Sequence, residues 1–262
     1  MMSSKLSNSQ LQQLLDSAYE RFHRKTFVAD DPIGIPHRFT KKQDVEISGF
    51  LAATIAWGNR KSIINSANKI CEMMDDSPHE FILNHEARDL KDFETFAHRT
   101  FQATDILYFI ERLRVHFTRN ESLESMFTDG MSNSDQHVGA GLSHFHKSFF
   151  ELDFAPQRTR KHVATPDRKS ACKRLNMFLR WMVRPASSGV DFGIWNNIKT
   201  HQLLLPLDVH THRVATELGL LKRKQSDWAA CLEVTESLRS FDASDPVKYD
   251  FALFGMGVNG EI

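Results

Sequence analysis

The stretch KSACKRLNMFLRWMVRPASSGVDFGIWNNIKTHQLLLPLDVHTHRVATELGLL, residues 169–221, decides how the chain is read. Its first part places Leu175, Phe178, Leu179 and Met182 at i, i+3, i+4 and i+7, the spacing of a helical core stripe. Lys169, Lys173, Asn176 and Arg180 fall on a different face of the same expected helix. A bridge containing Gly and Ser follows, then an apolar run stopped by Pro206. Asp208 stands directly before Val-His-Thr-His-Arg-Val, the position of an N-cap that accepts backbone N–H groups at a helix start. Two lysines and an aspartate fixed at a helix mouth suggest amine nucleophile chemistry, with a carboxylate managing charge and protons. The plainer reading makes the lysines solvated and Asp208 only a cap. Capping and catalysis are compatible, since both need the carboxylate held at a helix N-terminus.

Working upstream, Ser7 or Ser9 caps a first helix carrying Leu11, Leu14, Leu15, Ala18 and Phe22 on one face. Asp31-Pro32-Ile33-Gly34-Ile35-Pro36 is an irregular connection, because two prolines and a glycine break a helix. Residues 43–57 read as a central helix, apolar on most faces, interrupted at Gly58-Asn59-Arg60 before another helix from Lys61 to Met74. Helical stretches are expected at 78–86, 87–98, 104–117 and 138–152, with a loop-like segment over 120–136. Downstream, helices are expected over Asp227–Phe241 and from Asp245-Pro246, where proline suits a first turn. Gly255 and Gly257 in that last helix allow close approach of a neighbour or ligand. No useful strand alternation appears, so the chain reads as all-α.

Lys+Arg and Asp+Glu balance at 33 each, so no global field draws this 262-residue chain to a polyanion. The local exception lies between Arg158 and Arg174, where seven basic residues face one acidic residue, Asp167. That strip is either a solvated loop or a set of phosphate contacts. Three distant cysteines, Cys71, Cys172 and Cys231, offer neither a disulfide framework nor a metal set and suit a reducing cytoplasmic home. No leader pattern and no apolar run of membrane length is evident, so a soluble protein is expected. His210 and His212 form an H-x-H pair, with His201 or Asp208 as a further ligand; on a helix, i and i+2 point apart, so no metal is expected.

The segment PLDVHTHRVATELGL resembles the one that supplies the catalytic aspartate in helix–hairpin–helix (HhH-GPD) DNA glycosylases, whose (V/L)D-x-H-x-x-R-V pattern falls here on Asp208, His210, Arg213 and Val214. FLAATIAWGNRKSIINSANKI is similar to their early helix pair, whose junction lies against DNA, and DPVKYDFALFGMGV to their closing helix, which contributes an aromatic contact to a flipped base. The glycine-rich hairpin L-P-G-[VI]-G-x-K of that superfamily is missing. Lys173 stands 35 positions before Asp208 (208 − 173), a longer spacing that resembles the archaeal 8-oxoguanine glycosylase branch. The whole chain also resembles a bacterial family of the DUF2400 type.

The resemblance implies one all-α unit over 1–262 with two helical subdomains of HhH-GPD type, about 40–150 and 160–262. The helix at 7–25 would pack on the second, and the active site would lie in the cleft between the two. It implies removal of an oxidised purine, 8-oxoguanine foremost, from double-stranded DNA, with AP lyase activity as a further step, no cofactor and a monomeric enzyme. Lys173 or Lys169 would be the nucleophile and Asp208 the assisting carboxylate. Asn59, Arg60, Arg158, Arg160, Lys161, Arg168 and Arg174 would contact DNA, and Trp57, Trp181 or Phe254 would line the base pocket. Two rival classes are a silent nucleic-acid-binding module and an unrelated all-α hydrolase using Asp208, His210 and His212.

Overall fold

The computed structural model describes residues 6–262 and is built almost wholly from helices. The chain divides into two compact units, one spanning Val28–Thr165 and the other combining the residues up to Phe27 with Pro166–Ile262. No helix among the described residues is long and apolar enough to cross a membrane.

In the Val28–Thr165 unit the central element is α2 (Lys42–Thr54), every residue of which is buried from Val45 onward. Around it stand α3 (Arg60–Glu72), α4 (Pro78–Asn84), α5 (Ala103–Phe117), α6 (Ser125–Thr128) and α7 (Gly139–Phe149). An apolar helix enclosed on all sides must also carry few charges, and the exception is satisfied. Fully buried Glu46 accepts from Ser122 Oγ at 2.5 Å and from Leu123 N at 3.0 Å. Much of the phenylalanine of the chain is spent here. Phe50 stacks on Phe109 (centroids 5.5 Å apart), Phe127 stacks on Phe145 (4.2 Å), and Phe149 meets Phe50 and Phe109 edge-on.

One expected helix is absent. Residues 87–98 form a turn, a 3₁₀ segment over Lys91–Thr95, and the first strand of a small hairpin, β1 (Ala97–His98) paired with β2 (Phe101–Gln102). The physical reason is that the only apolar side chains the stretch buries are Phe93 and Phe96, too little to hold a continuous helical stripe.

The other unit contains α1 (Asn8–Phe22), α8 (Lys173–Val183), α9 (Val209–Glu217), α10 (Trp228–Arg239) and α11 (Asp250–Val258). The Ser7 hydroxyl caps α1 by accepting from Gln10 N at 3.3 Å. The α11 helix is sandwiched by α1 and α9, and glycines make this possible. A Cβ on Gly255 would fall 2.3 Å from the Phe22 ring, and one on Gly257 would fall 3.0 Å from His210 Cβ. The Asp245 segment begins with a 3₁₀ turn over Pro246–Tyr249 and becomes α-helical only at Asp250. The run Leu203–Leu207 is buried and extended, and α10 side chains satisfy the backbone of its middle residue: Thr235 Oγ1 accepts from Leu205 N at 3.0 Å, and the Cys231 thiol donates to Leu205 O.

Candidate functional site

The approach to α8 is fixed by its backbone. Lys169 and Cys172 both adopt left-handed conformations (φ +58° and +49°), so the helix starts at Lys173 and not at Lys169. Lys169 O accepts from Trp228 N at 3.0 Å, Ser170 bridges to Asp227, and Asn176 Nδ2 donates to Ala171 O at 3.0 Å. The shared face expected for Lys169, Lys173, Asn176 and Arg180 is therefore corrected. Lys169 lies outside the helix and is exposed, while Asn176 and Arg180 are buried. The core stripe Leu175, Phe178, Leu179 and Met182 is buried as the spacing requires.

The same geometry sets Lys173 facing α9. Its Nζ lies 3.6 Å from Asp208 Oδ2, with the lysine side chain about one-third exposed and the carboxylate mostly covered. The other carboxylate oxygen is occupied. Asp208 Oδ1 accepts from His210 N and Thr211 N, each at 2.9 Å, and Thr211 Oγ1 accepts from Asp208 N at 2.7 Å. The cap thus uses one oxygen and leaves the second directed at the amine. A partly exposed ion pair adds about 0–1 kcal/mol to stability, so the cap, not the pair, is what helps hold α9.

Behind this pair lies a buried chain of charges that the sequence reading missed. Arg180 on α8 and Arg184, the residue that caps its C-terminus, both reach Asp191. Arg180 also donates to Asp250, and Arg184 Nε donates to both oxygens of Asp245 at 3.0 and 3.1 Å. Phe251 lies under both guanidinium groups, 4.3 and 5.5 Å from its ring centroid. Burial pushes the Asp250 carboxyl up to about 6; Arg180 opposes the rise, the Asp208 charge adds to it, and Lys173 again opposes it. Asp250 therefore feels the Lys173–Asp208 pair directly. A signal for it existed in the sequence, a lone acid inside the apolar run KYDFALF.

Arg174, next to the lysine, is half-buried, and burial lowers its guanidinium to about 10. Phe254 is half-buried and meets His210 edge-on at 6.0 Å and Phe27 at 6.3 Å, so this aromatic belongs to the surroundings of Asp208. Trp181 does not reach the surface. It is fully enclosed in the core and presents no face for stacking. His212 Nε2 lies 3.1 Å from Arg223 O and donates to it, and no group of three or more His, Cys, Asp or Glu side chains suited to a metal ion is found among the described residues. Arg168 is exposed.

The remaining expected contacts belong to the Val28–Thr165 unit. Asn59 caps α3, accepting from Ser62 N at 3.2 Å, and Arg60 opens that helix in an exposed position. Trp57 is half-buried, stacked on His162 (5.6 Å, 26°) and edge-on to His98. Lys161 is exposed. Arg158 and Arg160 have internal work: Arg158 pairs with buried Asp105 at 3.1 Å, and Arg160 donates to Phe150 O at 3.2 Å while lying over its ring. Spacing along a basic run carries no information on which guanidinium groups turn inward.

No curated protein and no solved structure matches the chain. Residues 31–259, the greater part of the chain, match the family described as a protein of unknown function (DUF2400), and the chain belongs to that family.

Proposed function

We propose that this protein is a DNA glycosylase with AP lyase activity that removes an oxidised purine, 8-oxoguanine foremost, through a Schiff base on Lys173. The observation that carries the reading is the division of labour at Asp208: one oxygen caps α9 and the other faces the Lys173 amine at 3.6 Å. A nucleophilic amine needs a partner that accepts its proton and then stabilises positive charge on the sugar, and a helix-fixed carboxylate serves both needs.

The damaged nucleotide is rotated out of the duplex, because its glycosidic carbon is shielded within the stack. The lone pair on Lys173 Nζ attacks that carbon as the bond to the base breaks, and the base leaves with the bonding electrons and gains a proton. Opening of the sugar ring gives the imine. Loss of a proton from the adjacent carbon then expels the 3′ phosphate, and water frees the lysine. Lys173, not Lys169, is taken as the nucleophile, since its amine stands 3.6 Å from Asp208 Oδ2 while Lys169 lies outside α8. Phe254, half-buried beside His210, is the aromatic best situated to meet an extruded base.

The test is incubation of the purified protein, in EDTA, with duplexes carrying a single 8-oxoguanine, in the presence of borohydride. A covalent protein–DNA band is expected with the wild type and lost in Lys173→Gln. A band that persists in Lys173→Gln and disappears in Lys169→Gln would transfer the role to Lys169. Binding without base release or adduct, across oxidised purines, would instead support a silent nucleic-acid-binding module.

A further inference from the structure

Two loops of the unit that holds Lys173 are fastened to each other, and together they expose cations that no carboxylate answers. Lys169 O accepts from Trp228 N at 3.0 Å, and Ser170 forms a bridge with Asp227. Asp227 caps α10 by accepting from Ala230 N at 3.1 Å, and both its oxygens bind Arg223, at 2.7 and 2.6 Å. Arg223 O in turn accepts from His212 Nε2 at 3.1 Å. His212 stands one turn along α9 from Asp208, whose carbonyl accepts from His212 N at 2.8 Å. The contacts close a ring. It runs from Lys173 to Asp208, along α9 to His212, across to Arg223 and Asp227, and back through Ser170 to the start of α8. The segment 222–226 is thereby held beside the Lys173–Asp208 pair.

Arg223 is spent on this fastening, and its neighbours are not. Lys222 and Lys224 are exposed, and neither side chain has an ion-pair or hydrogen-bond partner among the described residues. The same is true of Arg168 and Lys169 across the bridge. The acidic residues of these loops and of the adjoining helices are engaged elsewhere. Asp227 serves Arg223 and α10, Glu233 Oε1 accepts from Lys222 N at 2.7 Å, Glu217 lies 3.7 Å from Arg213, and Asp167 has an interaction of its own. In a chain whose formal charges sum to zero, four unanswered cations on two fastened loops make a local positive field.

We propose that the segment 222–226 is a phosphodiester-binding surface that holds the backbone of duplex DNA beside the Lys173–Asp208 pair, with Lys222 and Lys224 as the phosphate ligands and Lys169 alongside them. An ammonium group on a flexible stem is a point-charge ligand that suits phosphate oxygens without reading sequence, and a loop already fixed at both ends loses little freedom on binding. The inference rests on the nucleic-acid side of the proposed function and lies beyond the contacts that the family resemblance implies.

The experiment measures affinity of the full chain for a labelled undamaged duplex by fluorescence anisotropy over a series of salt concentrations. The variants are Lys222→Gln/Lys224→Gln, the charge-keeping Lys222→Arg/Lys224→Arg, and a control, Lys91→Gln/Lys147→Gln, at two exposed lysines of the Val28–Thr165 unit. The Lys222→Gln/Lys224→Gln protein loses no internal contact and is expected to melt at the wild-type temperature. It should bind roughly tenfold more weakly, with a salt dependence shallower by about two counterions, and the arginine pair should restore both. Wild-type affinity and salt slope in Lys222→Gln/Lys224→Gln would overturn the proposal. So would an equal loss in the control, or absence of duplex binding by the wild type. Binding that depends on Lys222 and Lys224, with no borohydride adduct on any lesion, would uphold the surface and sink the glycosylase reading. A normal adduct together with binding indifferent to both lysines would do the reverse.

Discussion

At Asp208 the two carboxylate oxygens face different partners, and that allows the roles to be separated by mutation. Asparagine retains an oxygen for the cap, so Asp208→Asn is expected to unfold within about 0.5 kcal/mol of the wild type. Its adduct formation should fall by on the order of 100-fold, because the amide neither takes the proton nor stabilises cationic sugar. Asp208→Ala loses the cap as well and should cost about 1 kcal/mol in urea denaturation. Full activity in Asp208→Asn would remove the carboxylate from the chemistry and leave it a cap. Much at this scale was legible: Asp208 before a helical pattern announces a cap, and Lys173 was a candidate. What could not be read was the 3.6 Å between them, because the 34 intervening residues include an extended run whose path depends on Thr235 and Cys231.

Helix α8 is held in place at two levels. Its apolar stripe packs in the core, and Arg180 and Arg184 bind Asp191, Asp245 and Asp250. Burial drives the Asp191 carboxyl upward, and the two arginines oppose that. Removing this shared partner leaves two enclosed guanidinium groups undercompensated, so Asp191→Ala should destabilise the protein by about 3–5 kcal/mol. A loss below about 1 kcal/mol in chemical denaturation would show that water relaxes into the site. On α11, Gly255→Ala should cost about 1–3 kcal/mol by pressing on the Phe22 ring, read as a lower thermal midpoint. Elements with a sustained apolar stripe, such as α5, α7 and α10, were legible because burying one face is what makes a helix stable. The hairpin at 97–102 was not, since its two-residue strands carry no alternation and are held by Arg158, Asp105, Ser66 and the Trp57 carbonyl from elsewhere in the unit.

Across the whole molecule, four buried or half-buried histidines contribute to the response to acid. Burial lowers His23, His79, His98 and His116, and His23 falls to about 4, with Arg184 and Arg180 adding to the effect. The unfolded chain binds each proton first, near pH 6.5, so acidification from there towards about 4 favours unfolding. The contribution of His23 is complete above about pH 6.5 and is lost as pH falls to its folded value, up to about 3 kcal/mol. In His23→Gln the fall in unfolding free energy between pH 7 and 4 should be smaller by that order. An identical acid slope would mean that His23 is protonated within the folded protein without strain. The formal charge balance over 262 residues gives no hint of this behaviour, because it counts charges and not their enclosure.

The sequence by itself determined the all-α character, the placing of most helices, the cap at Asp208 and the core stripe of α8. Each follows from local periodicity or from groups a few residues apart. The tertiary structure alone decided which charges became partners: Lys173 with Asp208, Arg180 and Arg184 with Asp191, and Arg158 with Asp105. It also decided that Trp181 became core and that Arg99 remained exposed over Gly58. The physical reason is common to all of them. A long polar or aromatic side chain is permitted at a surface or in an interior, and only the groups that folding brings around it select between the two.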